Sequence, residues 1–174
     1  MPTSPVAVKL SPYFSATGDM ARRLDDAGAD GLVLFNRFLQ SDIDPETLAV
    51  VPGVGLSSPA DARLPRTWIA LLHGRVRAAL AATTGVEGPE DVAKYLLAGA
   101  DVVMTASALL RHGPEYAGVL LDGLSDWMAR KGYGSVDEFR GLLAVPLGED
   151  ESARERADHV GILRRANGAD AWPW

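Results

Sequence analysis

The chain has 174 residues, 47% of them apolar and 23% charged, with a net charge of −6 and no cysteine. That apolar content is enough for one domain core, the acidic balance argues against nucleic-acid backbone binding, and disulfides, thiolate catalysis and Cys-based metal sites are excluded. No apolar run reaches the roughly 20 residues needed to cross a bilayer, and Met1-Pro2-Thr3-Ser4-Pro5-Val6 lacks the pattern of a secretory leader, so a cytoplasmic protein is expected.

The first strand is expected at Val6–Leu10, short, β-branched and stopped by Ser11-Pro12. Alternation places Val6, Val8 and Leu10 on one face and Ala7, Lys9 and Ser11 on the other. A helix is expected from about Asp19 to Ala27, where Met20, Ala21, Leu24 and Ala27 recur at helical spacing and Gly28 suits a left-handed cap. Gly31–Phe35 is a continuous apolar run of strand length, the pattern of a strand buried on both faces. Residues 36–64 contain three prolines and two glycines and read as a long functional loop with a short strand at Leu48–Val51.

A helix over Pro65–Val76 follows, and then a third barrel strand over Arg77–Thr84, although its four alanines favour helix on propensity alone. Glu90–Leu97 reads as an amphipathic helix between Gly88-Pro89 and Gly99, and Asp101–Thr105 as the fourth strand. Further helices are expected at about Pro114–Arg130, Val136–Leu142 and Glu151–Ala166, ending in the tail Ala171–Trp174. Residues 1–145 thus form one domain, and 146–174 a C-terminal helix and tail.

An internal echo organises this pattern. Ala27-Gly28-Ala29-Asp30 and Ala98-Gly99-Ala100-Asp101, 71 residues apart, each end a helix, turn on glycine and enter an apolar strand. Helix, tight turn and parallel strand in repetition is the grammar of α/β folds. Four strand–helix units are counted, whereas a complete (β/α)₈ barrel takes eight and typically about 250 residues. Half a barrel leaves two open sheet edges and an uncovered inner face.

In α/β barrels ligands sit at the C-terminal strand ends, with phosphates often after the last two. Here those ends are Lys9-Leu10-Ser11, Asn36-Arg37, Thr83-Thr84-Gly85 and Thr105-Ala106-Ser107. The last two offer small residues, hydroxyls and backbone N–H groups near a helix start, which suit a phosphate; equally, they are ordinary turn and capping residues. Acidic Glu87, Glu90 and Asp91 oppose an anion unless they point away. Lys9 falls on the inner face in this register, where an unpaired ammonium is costly, and a slip of one residue would turn it to water. Asn36 presents a two-sided amide, and Arg37 is suited either to an anion or to a surface pair with Asp42 or Asp44. Ser57-Ser58-Pro59 is a polar turn within reach of a ligand. His73, His112 and His159 match no metal spacing, and the first two lie near helix ends, where capping is the ordinary role.

Together these segments resemble the C-terminal half of the class 1 dihydroorotate dehydrogenases. Val8–Phe14 and Ala27–Asn36 resemble the fifth and sixth barrel strands. Thr84–Val92, Leu96–Asp101 and Thr105–Leu109 resemble the seventh and eighth, and Gly113-Pro114, Lys131–Tyr133, Ser135 and Gly141 continue the likeness. Within the family the chain looks closest to the bacterial dihydroorotate dehydrogenase-like branch. The resemblance implies a TIM-barrel half carrying part of a flavin mononucleotide (FMN) site of an oxidoreductase in pyrimidine biosynthesis. By this likeness Lys9 contacts the isoalloxazine ring and Asn36 holds a dihydropyrimidine substrate. Thr84, Gly85, Thr105, Ala106 and Ser107 serve the phosphate, with Ser57 and Ser58 in a segment replacing a glycine-rich flavin contact.

Three departures accompany the likeness. Arg37 stands where the family has serine, the Gly-Gly and Gly-Thr phosphate turns have become Thr84-Gly85 and Ala106-Ser107, and nothing matches strands one to four with their Cys or Ser base. No catalytic residue is therefore assigned. A homo-oligomer or a missing N-terminal half is expected as partner. Non-catalytic binding of a phosphorylated ligand and another flavin reductase are the rival functions.

Overall fold

The computed structural model describes residues 4–37, 40–53 and 55–147. The chain divides into two compact units, Met1–Ala144 and Val145–Trp174, and the architecture that follows belongs to the first. The helix expected over Glu151–Ala166, the tail Ala171–Trp174 and His159 lie outside the described residues.

Strands β1 (Ala7–Leu10), β2 (Gly31–Leu34), β5 (Ala79–Ala82) and β6 (Val102–Val103) form one parallel sheet in the order β1-β2-β5-β6. Helices α1 (Thr17–Asp26), α2 (Arg63–Leu72) and α3 (Pro89–Ala98) connect successive strands, and α4 (Ser107–His112) and α5 (Tyr116–Lys131) follow β6. Four strand–helix units in sequential order make a partial barrel, as the echo of helix, turn and strand implied.

Alternation along the strands sorts the sheet's two faces. Val8, Leu10, Leu32, Leu34, Leu80, Ala82 and Val103 enter the core shared with Ala21, Ile69, Leu72 and Tyr95 from the helices. The opposite row, Lys9–Val33–Ala81–Val102 in register across all four strands, faces the inner side. Val102 is half-exposed there, and Ala7 and Ala79 are exposed. Alanine-rich β5 is a strand despite its helix propensity. Its tertiary position, paired on both sides and apolar on the core face, overrides a weak local preference.

The two Ala-Gly-Ala-Asp segments perform one task twice. Gly28 (φ +93°) and Gly99 (φ +109°) take the left-handed conformation that ends α1 and α3. Ala29 N–H returns to Leu24 O and Ala100 N–H to Tyr95 O, the longer bond of a Schellman cap. The aspartates then fasten each strand to its predecessor. Asp30 Oδ2 accepts Val6 N–H at 2.7 Å and Asp101 Oδ2 accepts Leu80 N–H at 2.8 Å. Between these, buried Asp25 accepts the N–H groups of Arg77 and Ala78 at 3.0 and 2.8 Å and the Arg77 guanidinium at 3.1 Å, anchoring the entry to β5.

The segment read as a loop contains more structure than its composition suggested. Strands β3 (Gln40–Asp44) and β4 (Ala49–Gly53) form an antiparallel hairpin, and a 3-10 turn over Pro59–Ala62 runs directly into α2. Pro52 is compatible with β4 because a two-stranded ribbon leaves each strand an outer edge. In the other direction, the helix expected over Val136–Leu142 is only a 3-10 turn, Val136–Glu138. Gly141 and Leu143 instead donate to the carbonyls of Leu96 and Leu97 at the end of α3, and Phe139 is fully buried. His73 caps this region, its ring against Gly99 O at 3.1 Å, packed so that a Cβ on Gly99 or Gly141 would collide with it.

Candidate functional site at the strand ends

The C-terminal ends of all four parallel strands open on one cleft of about 170 Å³. Lys9 enters it from β1, and Asn36 and Arg37 from the end of β2. Thr83, Thr84 and Gly85 line it after β5, and Thr105, Ala106 and Ser107 after β6. Ser57 completes the wall beside the last two turns. Lys9 lies on the face opposite Val8 and Leu10, in the register alternation required. Of the residues that the resemblance assigns to cofactor or substrate, Ser58 alone does not line the cleft. Its N–H and hydroxyl both donate to Asp61 Oδ2, at 2.7 and 3.0 Å, capping the 3-10 turn.

The turn after β5 is tightly built. Thr84 (φ +84°) and Gly85 (φ +72°) are both left-handed, a conformation strained for a β-branched threonine. A Cβ on Gly85 would lie 2.6 Å from Ser58 O and 2.7 Å from Ala62 N, so the chain behind leaves room only for glycine. Tyr95, fully buried on α3, donates its hydroxyl to Thr84 O at 2.7 Å, with Thr83 O at 3.2 Å. Burial pushes the Tyr95 phenol well above its ordinary range and keeps it a donor. Thr84 Oγ1 reaches Phe35 O at 3.3 Å, and Thr105 Oγ1 donates to Val86 O at 3.0 Å, tying the strand ends together.

Beside these two turns, Gly85 N–H and the Ser107 hydroxyl meet at one oxygen, Ser57 Oγ. Gly85 N–H points to Ser57 Oγ at 3.1 Å, and Ser107 Oγ lies 2.9 Å from the same atom. Ser57 N–H in turn donates to Ser107 Oγ at 3.0 Å. One fixed backbone N–H and one hydroxyl, beside a glycine, are groups able to hydrogen-bond an anionic oxygen.

The acidic residues that threatened an anion site are otherwise engaged. Glu87 holds Arg111 and accepts from His112 Nε2 at 2.7 Å. The His112 bond, opposed by desolvation and helped by the Arg111 charge, keeps the Glu87 carboxyl below its usual range. Asp91 Oδ2 accepts Glu87 N–H and Gly88 N–H at 3.2 Å each, which closes the start of α3 and removes it as an anion site. Exposed Glu90 lies 3.7 Å from Lys94.

Arg37 pairs with Asp61 at 3.2 Å rather than with Asp42 or Asp44. The Ser58 N–H bond chiefly, and the Ser58 hydroxyl and Arg37 charge against some desolvation, hold Asp61 below its usual range. A second cleft of about 150 Å³ adjoins the first and shares Phe35, Asn36, Arg37 and Thr84 with it.

Two residues absent from the sequence reading matter here. Arg111, one helical turn beyond Ser107, donates to Ser57 O at 2.8 Å and so ties the Ser57 segment to α4. Its i+4 spacing from Ser107 was the available signal. Tyr95 was visible only as an aromatic with a polar tip on the inner face of a helix.

No family model matches the sequence. The catalytic subunit of dihydroorotate dehydrogenase B (NAD(+)) from Bacillus pumilus is 33% identical over 138 residues, which span 77% of this chain and 44% of that protein. The same subunit from Methanothermobacter thermautotrophicus is 29% identical over 142 residues, 79% of this chain and 47% of that one. A putative dihydroorotate dehydrogenase A (fumarate) from Streptococcus uberis is 30% identical over 158 residues, 81% and 48%. In fold, the chain matches the crystal structure of DHODH from Eimeria tenella in complex with ferulenol, with a TM-score of 0.65 at 24% identity over 80% of this chain and 38% of that one. The chain spans less than half the length of the curated relatives it matches. The homologues of this chain are dihydroorotate dehydrogenases, each matched over less than half its length.

Proposed function

We propose that this chain forms the phosphate-binding side of an FMN site in an oxidoreductase of the dihydroorotate dehydrogenase type, oxidising dihydroorotate to orotate in cytoplasmic pyrimidine biosynthesis. The observation that carries the reading is the convergence of Gly85 N–H and the Ser107 hydroxyl on one oxygen position, in the cleft that Lys9 and Asn36 also enter. In this reading Thr84, Gly85, Thr105, Ala106 and Ser107 hold the phosphate. Ser57 and Ser58 lie in the segment beside it, with Ser58 acting through its cap on Asp61. Lys9 places its ammonium against the electron-poor ring, and the Asn36 amide orients a flat heterocycle.

The bound flavin supplies two-electron chemistry; the chain supplies position and charge. The proton lost with the hydride needs a general base within hydrogen-bonding reach. The described residues lining the cleft include no carboxylate, imidazole or thiol, and its two serines, Ser57 and Ser107, hydrogen-bond each other. A volume of about 170 Å³ also lies below the ~300–1,000 Å³ of a ligand-sized pocket. Both observations support reading the cleft as one wall of a larger site, completed by an N-terminal half or by a second copy against the inner sheet face. The same two observations favour, as the second reading, a chain that binds a phosphorylated ligand without turning it over.

The purified chain, incubated with FMN and desalted, should retain the flavin absorbance, and Lys9→Ala with Ser107→Ala should lose it. A folded chain that emerges colourless would count against the flavin reading and direct the search to the missing half.

A further inference from the structure

Building on the FMN reading above, we infer that Ser57 is a stand-in for the ligand phosphate: its hydroxyl fills the anion position and must swing out before a phosphate oxygen can enter. A serine hydroxyl has two acceptor lone pairs. Gly85 N–H donates to one of them at 3.1 Å, and Ser107 Oγ lies 2.9 Å away, where either hydroxyl can donate to the other. Ser57 is 6% exposed, so these bonds are not shared with bulk water. A single N–H aimed at Ser57 Oγ cannot serve a phosphate oxygen at full strength as well, so the two occupants exclude each other.

The backbone around Ser57 stays fixed while the hydroxyl moves. Arg111 Nη2 holds Ser57 O at 2.8 Å, Arg111 is itself held by Glu87, and Ser57 N–H is bound to Ser107 Oγ. A change of the Ser57 side-chain rotamer is therefore enough to vacate the position, with no rearrangement of the segment. Without ligand, the hydroxyl satisfies the buried Gly85 N–H, which would otherwise be left unpaired. Ser57 thus sets the affinity of the cleft for phosphate monoesters by competing with them.

This assignment reverses the sign expected of a cofactor contact. Ser57→Ala should bind FMN more tightly than the unmodified chain, on the order of tenfold for one hydrogen bond no longer displaced. Riboflavin, which lacks the phosphate, should bind both chains equally, and ligand-free Ser57→Ala should melt at a lower temperature. Equal or weaker FMN binding by Ser57→Ala, with the unmodified chain still binding, overturns the stand-in and leaves the flavin site intact. An equal gain for riboflavin also overturns it. If neither folded chain binds FMN, the stand-in and the flavin reading fall together. Amide NMR of the unmodified chain tests the same point without a substitution: the Gly85 resonance should move on adding FMN, and an unmoved Gly85 overturns the proposal.

Discussion

Tyr95 shows how a site residue can be hidden in a core. Its ring is fully buried on α3, 11 residues from the turn whose carbonyl it holds. Removing the hydroxyl leaves the Thr84 carbonyl without its 2.7 Å partner at a threonine held in the left-handed conformation. Tyr95→Phe is expected to cost about 1–2 kcal/mol of stability in urea titration, and to weaken FMN retention as the Thr84-Gly85 turn relaxes. Unchanged stability would show that water replaces the bond. Nothing in the spacing of residues 89–98 announced this role, because a tyrosine at a helical core position reads first as packing. Lys9, by contrast, was legible: alternation in a short strand with Val8 and Leu10 on the core side leaves it no other face.

At the level of the elements, the parallel strands and their connecting helices were readable wherever apolar periodicity and glycine punctuation agreed. In the hairpin, the short strand expected at Leu48–Val51 corresponds to β4 (Ala49–Gly53), whereas β3 was not legible, because Asp42 and Asp44 are poor strand residues and the ribbon pairs only with itself. The turn at Val136–Glu138 was misjudged for the opposite reason, since Gly141 and Leu143 find better partners at the end of α3 than in a helix of their own.

The anchor between α1 and β5 carries a pH prediction. Desolvation raises the Asp25 pKa, but the N–H groups of Ala78 and Arg77 and the Arg77 guanidinium outweigh it, so the folded value is depressed. Asp44, Asp61 and Glu87 are depressed as well. Groups of this kind stabilise the fold fully above their unfolded pKa values and lose that stabilisation as pH falls through the folded ones. The melting temperature should therefore be level from about pH 7 to 5 and decline below about pH 4.5, where unfolded carboxyls begin to take up protons. Asp25→Asn should lower the plateau and flatten the decline. A profile equally steep in the variant would remove Asp25 from the account.

On the scale of the whole molecule, the sheet leaves the outer edges of β1 and β6 unpaired within itself and an inner face carrying Val102, Ala79 and Ala7. Such edges and faces are usually covered. Light scattering on the purified chain should report a mass above that of one copy, and Val102→Glu should restore the single-copy mass without altering the far-ultraviolet spectrum. A wild-type chain that stays single at high concentration would rule out a second copy as the cover. Among the described residues, no helix is long and apolar enough to cross a membrane.

The paired aspartates at the strand entrances also bear on how the sheet comes together. Asp30 and Asp101 each close a loop to a partner only 24 and 21 residues earlier in the chain. Loop-closure entropy grows slowly with length but must be met before a non-local contact is rewarded. The β1–β2 and β5–β6 pairs are each fastened by a charge-assisted bond at their entrances, whereas β5 reaches β2 across a longer segment and is anchored by Asp25 from 52 and 53 residues away. The sheet therefore combines two short closures with one long one, and loop-closure entropy makes the long β2–β5 pairing the costlier step.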